Sequence, residues 1–177
     1  MANLNAPFGL NPVGKIGSGP SQKMSEYKVT NDAIFQGDPV ALGSGVIAQC
    51  AAGSAACGVF WGANYNNSDG KPQFRNNVPA SQAATAFVYD DPYQVFEVQG
   101  DAGGSAVSAQ TNVGQKANYV QDTDGVNNGV SGYQLDTSNL GSGADMMVTG
   151  FSTKEGRNEL GAANIVYTVL IDNHLYA

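Results

Sequence analysis

The chain is short of charge. Only 13% of its 177 residues are Asp, Glu, Lys or Arg, against ~25% in an ordinary soluble domain. Eight Lys and Arg stand against fifteen Asp and Glu, for a formal charge of −7. The basic residues form no run and no stripe able to neutralise a phosphate backbone, which argues against a nucleic-acid partner. Repulsion also argues against an anionic lipid surface. So little charge leaves the surface poorly equipped to stay soluble alone, and part of it is expected to be covered by partners.

Groups that do chemistry are equally scarce. His174, the only histidine, lies beside Asp172 and Asn173 and reads as a terminal residue that bonds locally. A Ser-His-Asp triad needs a base held beside an activated nucleophile, and no Gly-x-Ser-x-Gly elbow frames a serine. Asp90-Asp91 could be paired acids, but the following Pro92 makes them a turn. Asp122-x-Asp124-Gly125 has half the look of a calcium loop and lacks the far acidic ligand. Cys50 and Cys57 flank Ala51 to Ala56. They are two free buried thiols or, if the segment is a hairpin, a cross-strand disulfide, and they are too few for zinc. Neither an enzyme nor a cofactor or metal is expected. No stretch reaches the ~20 apolar residues of a membrane helix, and Met1 to Val13 lacks the charged and apolar regions of a secretory signal.

What the chain has is turns. Its 23 glycines often stand beside Asn, Ser or Asp. Between them lie short strand patterns: Tyr27–Thr30, Asp38–Leu42, Val46–Cys50, Cys57–Tyr65, Ala86–Tyr89, Tyr93–Gln99, Lys116–Gln121, Gly132–Asp136, Asp145–Phe151 and Ala163–Ile171. Ala86–Tyr89 and Tyr93–Gln99 read as a strand pair. Tyr93–Gln99 and Ala163–Ile171 are apolar on both faces and should be inner strands. Phe74 to Ala84 reads as an excursion or loop, and Asp101–Thr111 is the best short helix. The expected fold is mainly β, one barrel or sandwich-like domain with at most one or two short helices. Phe60, Trp61 and Tyr65 suggest core or interface, with a sugar-stacking platform as the alternative.

The most distinctive stretch is Met1 to Val13. It carries no charge, two prolines, and apolar anchors at Leu4, Phe8 and Leu10. Pro7 and Pro12 enforce extended geometry on themselves and their predecessors. The expected organisation is an extended arm over residues 1–23 and a β-rich domain over 24–177. An apolar arm that would otherwise fray is useful only when it lies on something.

Asn5-Ala6-Pro7-Phe8-Gly9-Leu10-Asn11-Pro12-Val13 resembles the opening of bacteriophage head decoration, or cement, proteins. So do Gly37-Asp38-Pro39-Val40, Gly58-Val59-Phe60-Trp61-Gly62, Asp91-Pro92 with Val95-Phe96-Glu97-Val98, Asn158-Glu159-Leu160-Gly161, and Asn173-His174. Cys50 to Cys57 and Tyr65 to Ala84 depart from the pattern. The resemblance implies a β-rich fold bound outside a capsid as a homotrimer, locking the major capsid protein against internal pressure. It further implies a protein made in the host cytoplasm and carried on the virion surface. The arm would lie in a groove of the shell, with Leu4, Asn5, Ala6, Pro7, Phe8, Gly9, Leu10, Asn11, Pro12 and Val13 as its contacts. Phe8 and Leu10 would insert as anchors, and deleting Met1 to Val13 would leave a folded trimer unable to bind. A head-fibre base, a tail part and a carbohydrate-binding β module are the alternatives.

Overall fold

The structure, a computed structural model, describes residues 3–17, 23–101, 110–121, 128–152, 154 and 161–177. Among them are two single turns of 3₁₀ helix, Gln110–Asn112 and Thr137–Asn139, and fifteen strands. The strands are β1 Asn11–Lys15, β2 Met24–Val29, β3 Ile34–Phe35, β4 Pro39–Gly43, β5 Val46–Gln49, β6 Gly58–Asn66, β7 Pro72–Arg75 and β8 Asn77–Val78. They continue with β9 Ala84–Tyr89, β10 Gln94–Gln99, β11 Lys116–Ala117, β12 Tyr119–Gln121, β13 Tyr133–Leu135, β14 Met146–Phe151 and β15 Val166–Ile171. The protein is mainly β, as its turn-rich sequence implies. Among the described residues no helix is long and apolar enough to cross a membrane.

Five strands close a barrel. β4 pairs with β5, β5 with β2, β2 with β9, β9 with β6, and β6 returns to β4. The seam between β2 and β5 is a single parallel pair, Lys28 opposite Val46. β7 extends the wall along the second half of β6. Side chains fill so small a barrel. Ala84, Ala86 and Val88 point inward from alternate positions of β9, against Val29, Val40, Ile47 and Phe60. The β3–β8 ribbon adds Ile34 and Val78 to this core.

The second half is an antiparallel sheet in the order β1-β10-β15-β14-β11. Its Phe96, Val98, Val148, Tyr167, Val169 and Ile171 pack with Cys50, Ala56, Val59 and Tyr89 from outside the barrel. Tyr119, Tyr133 and Leu135 of the β12–β13 ribbon join the same layer. Each fully buried large side chain contributes about 1.5–3 kcal/mol, so this layer binds barrel and sheet into one body.

β10 and β15 are inner strands, as their two apolar faces require. β9 and β10, however, do not pair with each other. The Tyr93 N–H donates to Asp91 Oδ1 at 2.9 Å and the Gln94 N–H to Asp91 O at 3.0 Å. This turn carries the chain out of the barrel and into the sheet. Alternating residues reveal a strand but not its partner. Phe74 to Ala84 is also more ordered than its composition suggests. Phe74 and Arg75 belong to β7, an exposed edge strand held by backbone pairing with β6, and burial leaves no pattern there. Of the expected helix at 101–111, only Asp101, which is not helical, and Gln110 and Thr111, which open a 3₁₀ turn, lie within the described residues. Asp122 and Asp124 lie outside them.

The cysteines are both free and buried. β4 stands between them: the Cys50 N–H donates to Pro39 O at 2.9 Å and the Cys57 N–H to Val40 O at 2.7 Å, from strands on its opposite edges. Cys57 faces the barrel core and Cys50 the layer outside it. The hairpin needed for a cross-strand disulfide is therefore absent. Burial pushes the Cys50 thiol up to about 12 and the Cys57 thiol to about 11, which suppresses the reactive thiolate at neutral pH.

Candidate docking surface

The arm is a fixed part of its own subunit. β1 is the outermost strand of the sheet, with Asn11 opposite Glu97 and Lys15 opposite Gln94. Leu10 is fully buried among the sheet–barrel residues, and its N–H donates to Gly37 O at 2.9 Å. Here two backbones touch. Gly9 adopts φ +69°, and a Cβ on it would stand 2.4 Å from Ser131 Cβ and 2.6 Å from Gly37 O. Gly37, at φ +96°, is equally confined, with Phe8 O 2.8 Å from where its Cβ would be. Only glycine meets both the left-handed geometry and the close approach.

Upstream, the arm is held by side-chain amides. Gln99, buried at the end of β10, accepts from the Ala6 N–H at 2.9 Å and donates to Leu4 O at 2.8 Å. Gln134 Nε2 donates to Asn5 Oδ1 at 3.3 Å, and Asn3 Nδ2 to Ala163 O at 3.1 Å. Gln99 thus satisfies both a backbone donor and a backbone acceptor, as a neighbouring strand would. Nothing in the sequence around Gln99, Gln134 or Gly37 ties them to the arm, because each acts across a long separation.

This seat revises the anchoring scheme. Leu10 fills the protein's own core, Gly9 is buried, and Phe8 is half-buried, so Leu10 is no free anchor. One edge of β1 pairs with β10 inside its own sheet and the other is open, and residues 11–15 belong to the body rather than to a separate arm. Asn5 and Ala6 are exposed, while Pro7, Asn11 and Pro12 are half-buried. Leu4 is 80% exposed and Val13 40%, and the next apolar residue, Ile16, is 49% exposed. Val13 sits at a bulge in the β1–β10 register, and Pro12 offers no N–H. These features blunt the open edge against strand addition. Phe8 divides two recesses beside the arm. One, of about 230 Å³, is lined by Leu4, Ala6 and Gln99; the other, of about 310 Å³, by Asn11, Gln36 and Trp61.

The motifs at 5–13, 37–40 and 58–62 meet at this junction, while Asn158 to Leu160 lie outside the described residues. The Gly37 N–H donates to Phe60 O and the Phe60 N–H to Asp38 O, both at 2.9 Å. Pro39 lies opposite Val59, and the Ala56 N–H donates to Asn173 O at 2.9 Å. Comparison with family models, with curated proteins and with solved structures finds no match to the chain.

Trp61 does not form a platform with Phe60 and Tyr65. It is the extra residue of a bulge between β6 and β9, which reverses the alternation beyond it. Phe60 and Tyr65 therefore belong with the barrel core, whereas Trp61 packs edge-on against Tyr89 outside, with centroids 5.6 Å apart. Among the described residues no group of three or more His, Cys, Asp or Glu could hold a metal ion.

His174 is buried, and its Nδ1 accepts from the Tyr176 N–H at 3.1 Å. Burial lowers its pKa, partly offset by Asp90 and Asp91. An unfolded histidine titrates near ~6.5. Below that pH the unfolded chain binds a proton that the folded one resists, so stability should fall as pH drops from about 6.5 toward the folded pKa. Asp91, held low first by its bond from Lys15, loses its contribution only below ~3.9. Thermal melts between about pH 7 and pH 5 should therefore slope in the native protein and flatten in His174→Gln; an equal slope in both would contradict this assignment.

Proposed function

We propose that this protein is a structural virion component, bound as a homotrimer to the outside of a phage capsid, where it cements neighbouring major-capsid subunits. One observation carries the reading. From Asn3 to Gly14 the arm has no charged side chain and is fastened to its own body, yet it holds Leu4 and Val13 out in solvent. Exposed apolar side chains on a fixed, charge-free arm fit a surface built for a partner. The contact is made by side chains on a rigid edge, so little conformational entropy is lost on docking. Low overall charge and an acidic balance fit a surface that touches protein and avoids nucleic acid. Three copies joined together turn a weak single contact into strong attachment.

The test is sedimentation of the purified protein with capsids lacking it, together with its mass in solution. The expected result is a particle of three times the 18.3 kDa chain mass that pellets with the capsids. A strict monomer that stays in the supernatant would remove the reading.

A further inference from the structure

Beside the far end of β1, where Lys15 forms part of its wall, lies a second surface of different chemistry. Tyr27, Tyr93 and Tyr176 line a groove of about 550 Å³, within the ~300–1,000 Å³ usual for small-ligand sites. They come from β2, from the β9–β10 turn and from the C-terminal tail. Tyr93 is 59% exposed and Tyr176 49%, although both backbones are fixed. The Tyr93 N–H is held by Asp91 Oδ1, and its carbonyl accepts from the Ile16 N–H at 3.0 Å. Tyr176 bonds His174 through its N–H and lies against that ring, with centroids 5.7 Å apart.

The polar groups of the groove are arranged in series. The hydroxyls of Tyr176 and Tyr27 are 3.2 Å apart, and the Tyr27 O–H donates to Asp90 Oδ2 at 3.0 Å. Asp90 Oδ1 is buried without a hydrogen-bond partner among the described residues. Lys15 pairs with Asp91, and Lys23 completes the wall. Two lysines and two aspartates leave the groove with no net formal charge. A phosphorylated or sulfated ligand would meet Asp90, and a cation would meet Lys23. A purely apolar ligand would strand the hydroxyls and carboxylates.

The geometry points to a neutral saccharide as the ligand of this groove. Exposed tyrosine faces take the C–H faces of a sugar ring by dispersion. The Tyr27 and Tyr176 hydroxyls and the Lys23 ammonium serve its hydroxyls and oxygens, while Asp90 and Asp91 hold Tyr27 and Lys15 in place behind them. The groove does not depend on capsid binding, so it can be tested on the isolated protein.

The experiment is an array of neutral and anionic oligosaccharides, followed by calorimetric titration of any that bind. The expected result is retention of neutral oligosaccharides. Affinity should fall by about tenfold or more in Tyr93→Ala and in Tyr176→Ala. Tyr93→Phe and the distant Trp61→Ala should keep native affinity; an unchanged melting temperature in the tyrosine variants confirms the fold, and Trp61→Ala, which loses its packing on Tyr89, is assayed below its own lower melting temperature. The proposal is overturned if no neutral saccharide binds, if only charged ones do, or if binding survives the Tyr93→Ala, Tyr176→Ala double substitution.

Discussion

Leu10→Ala is expected to lower the free energy of unfolding by about 2–5 kcal/mol, the usual cost of emptying a leucine site in a packed core. The leucine is fully buried where β1 meets the barrel, beside Val59, Phe96 and Val98 in the shared apolar layer. Little can close over the gap, because the Gly9–Gly37 contact fixes the backbone on one side and the β1–β10 ladder on the other. Removing Met1 to Val13 goes further, since it strips this side chain, most of β1 and the Ala6 and Leu4 partners of Gln99. That truncation should unfold the sheet or leave it poorly packed, instead of yielding a sound body without its arm. Urea denaturation measures both. A loss below about 0.5 kcal/mol for Leu10→Ala, the range of an inert surface change, would show that the arm is not seated here.

Asp145→Ala should cost about 2–5 kcal/mol for a different reason. Both carboxyl oxygens of this fully buried residue accept from the Gly53 N–H, at 2.9 and 3.0 Å, and Oδ2 also accepts from the Tyr119 N–H at 3.2 Å. It therefore ties the 51–55 turn of the barrel to the sheet side. Alanine would orphan two backbone donors, each worth about 1–3 kcal/mol when left unsatisfied. Asp145→Asn keeps one carbonyl oxygen in place and should lose about half as much. Asp69→Ala, on an exposed turn, should change stability by less than about 0.5 kcal/mol. Equal losses for the alanine and asparagine variants would show that the acceptor role is not what matters.

Most of the longer strands were legible in the sequence because half-buried pleats impose alternation, as in Tyr27 and Val29 on either side of exposed Lys28. Inner strands were legible because burial on both faces leaves few polar positions, as in Val166 to Ile171. Pairing was not legible. The Asp90–Pro92 turn looks the same whether it closes a hairpin or moves the chain to another sheet. The bulge at Trp61 was hidden too, since an inserted residue leaves no mark in composition while exchanging the faces of everything after it. Of the candidate docking surface, the charge-free arm stood out, but its seat did not. Gln99 and Gly37 hold it from distant positions, and only their proximity in space gives them that role.

The central claim is that the outward apolar side chains of a fixed arm fasten this protein to a shell. It is tested most directly by sedimenting a Leu4→Asp, Val13→Asp, Ile16→Asp variant with capsids. These side chains are exposed, so the variant should melt with the native protein and keep its oligomeric mass while staying in the supernatant. A variant that melts normally and still pellets with the capsids would contradict the claim.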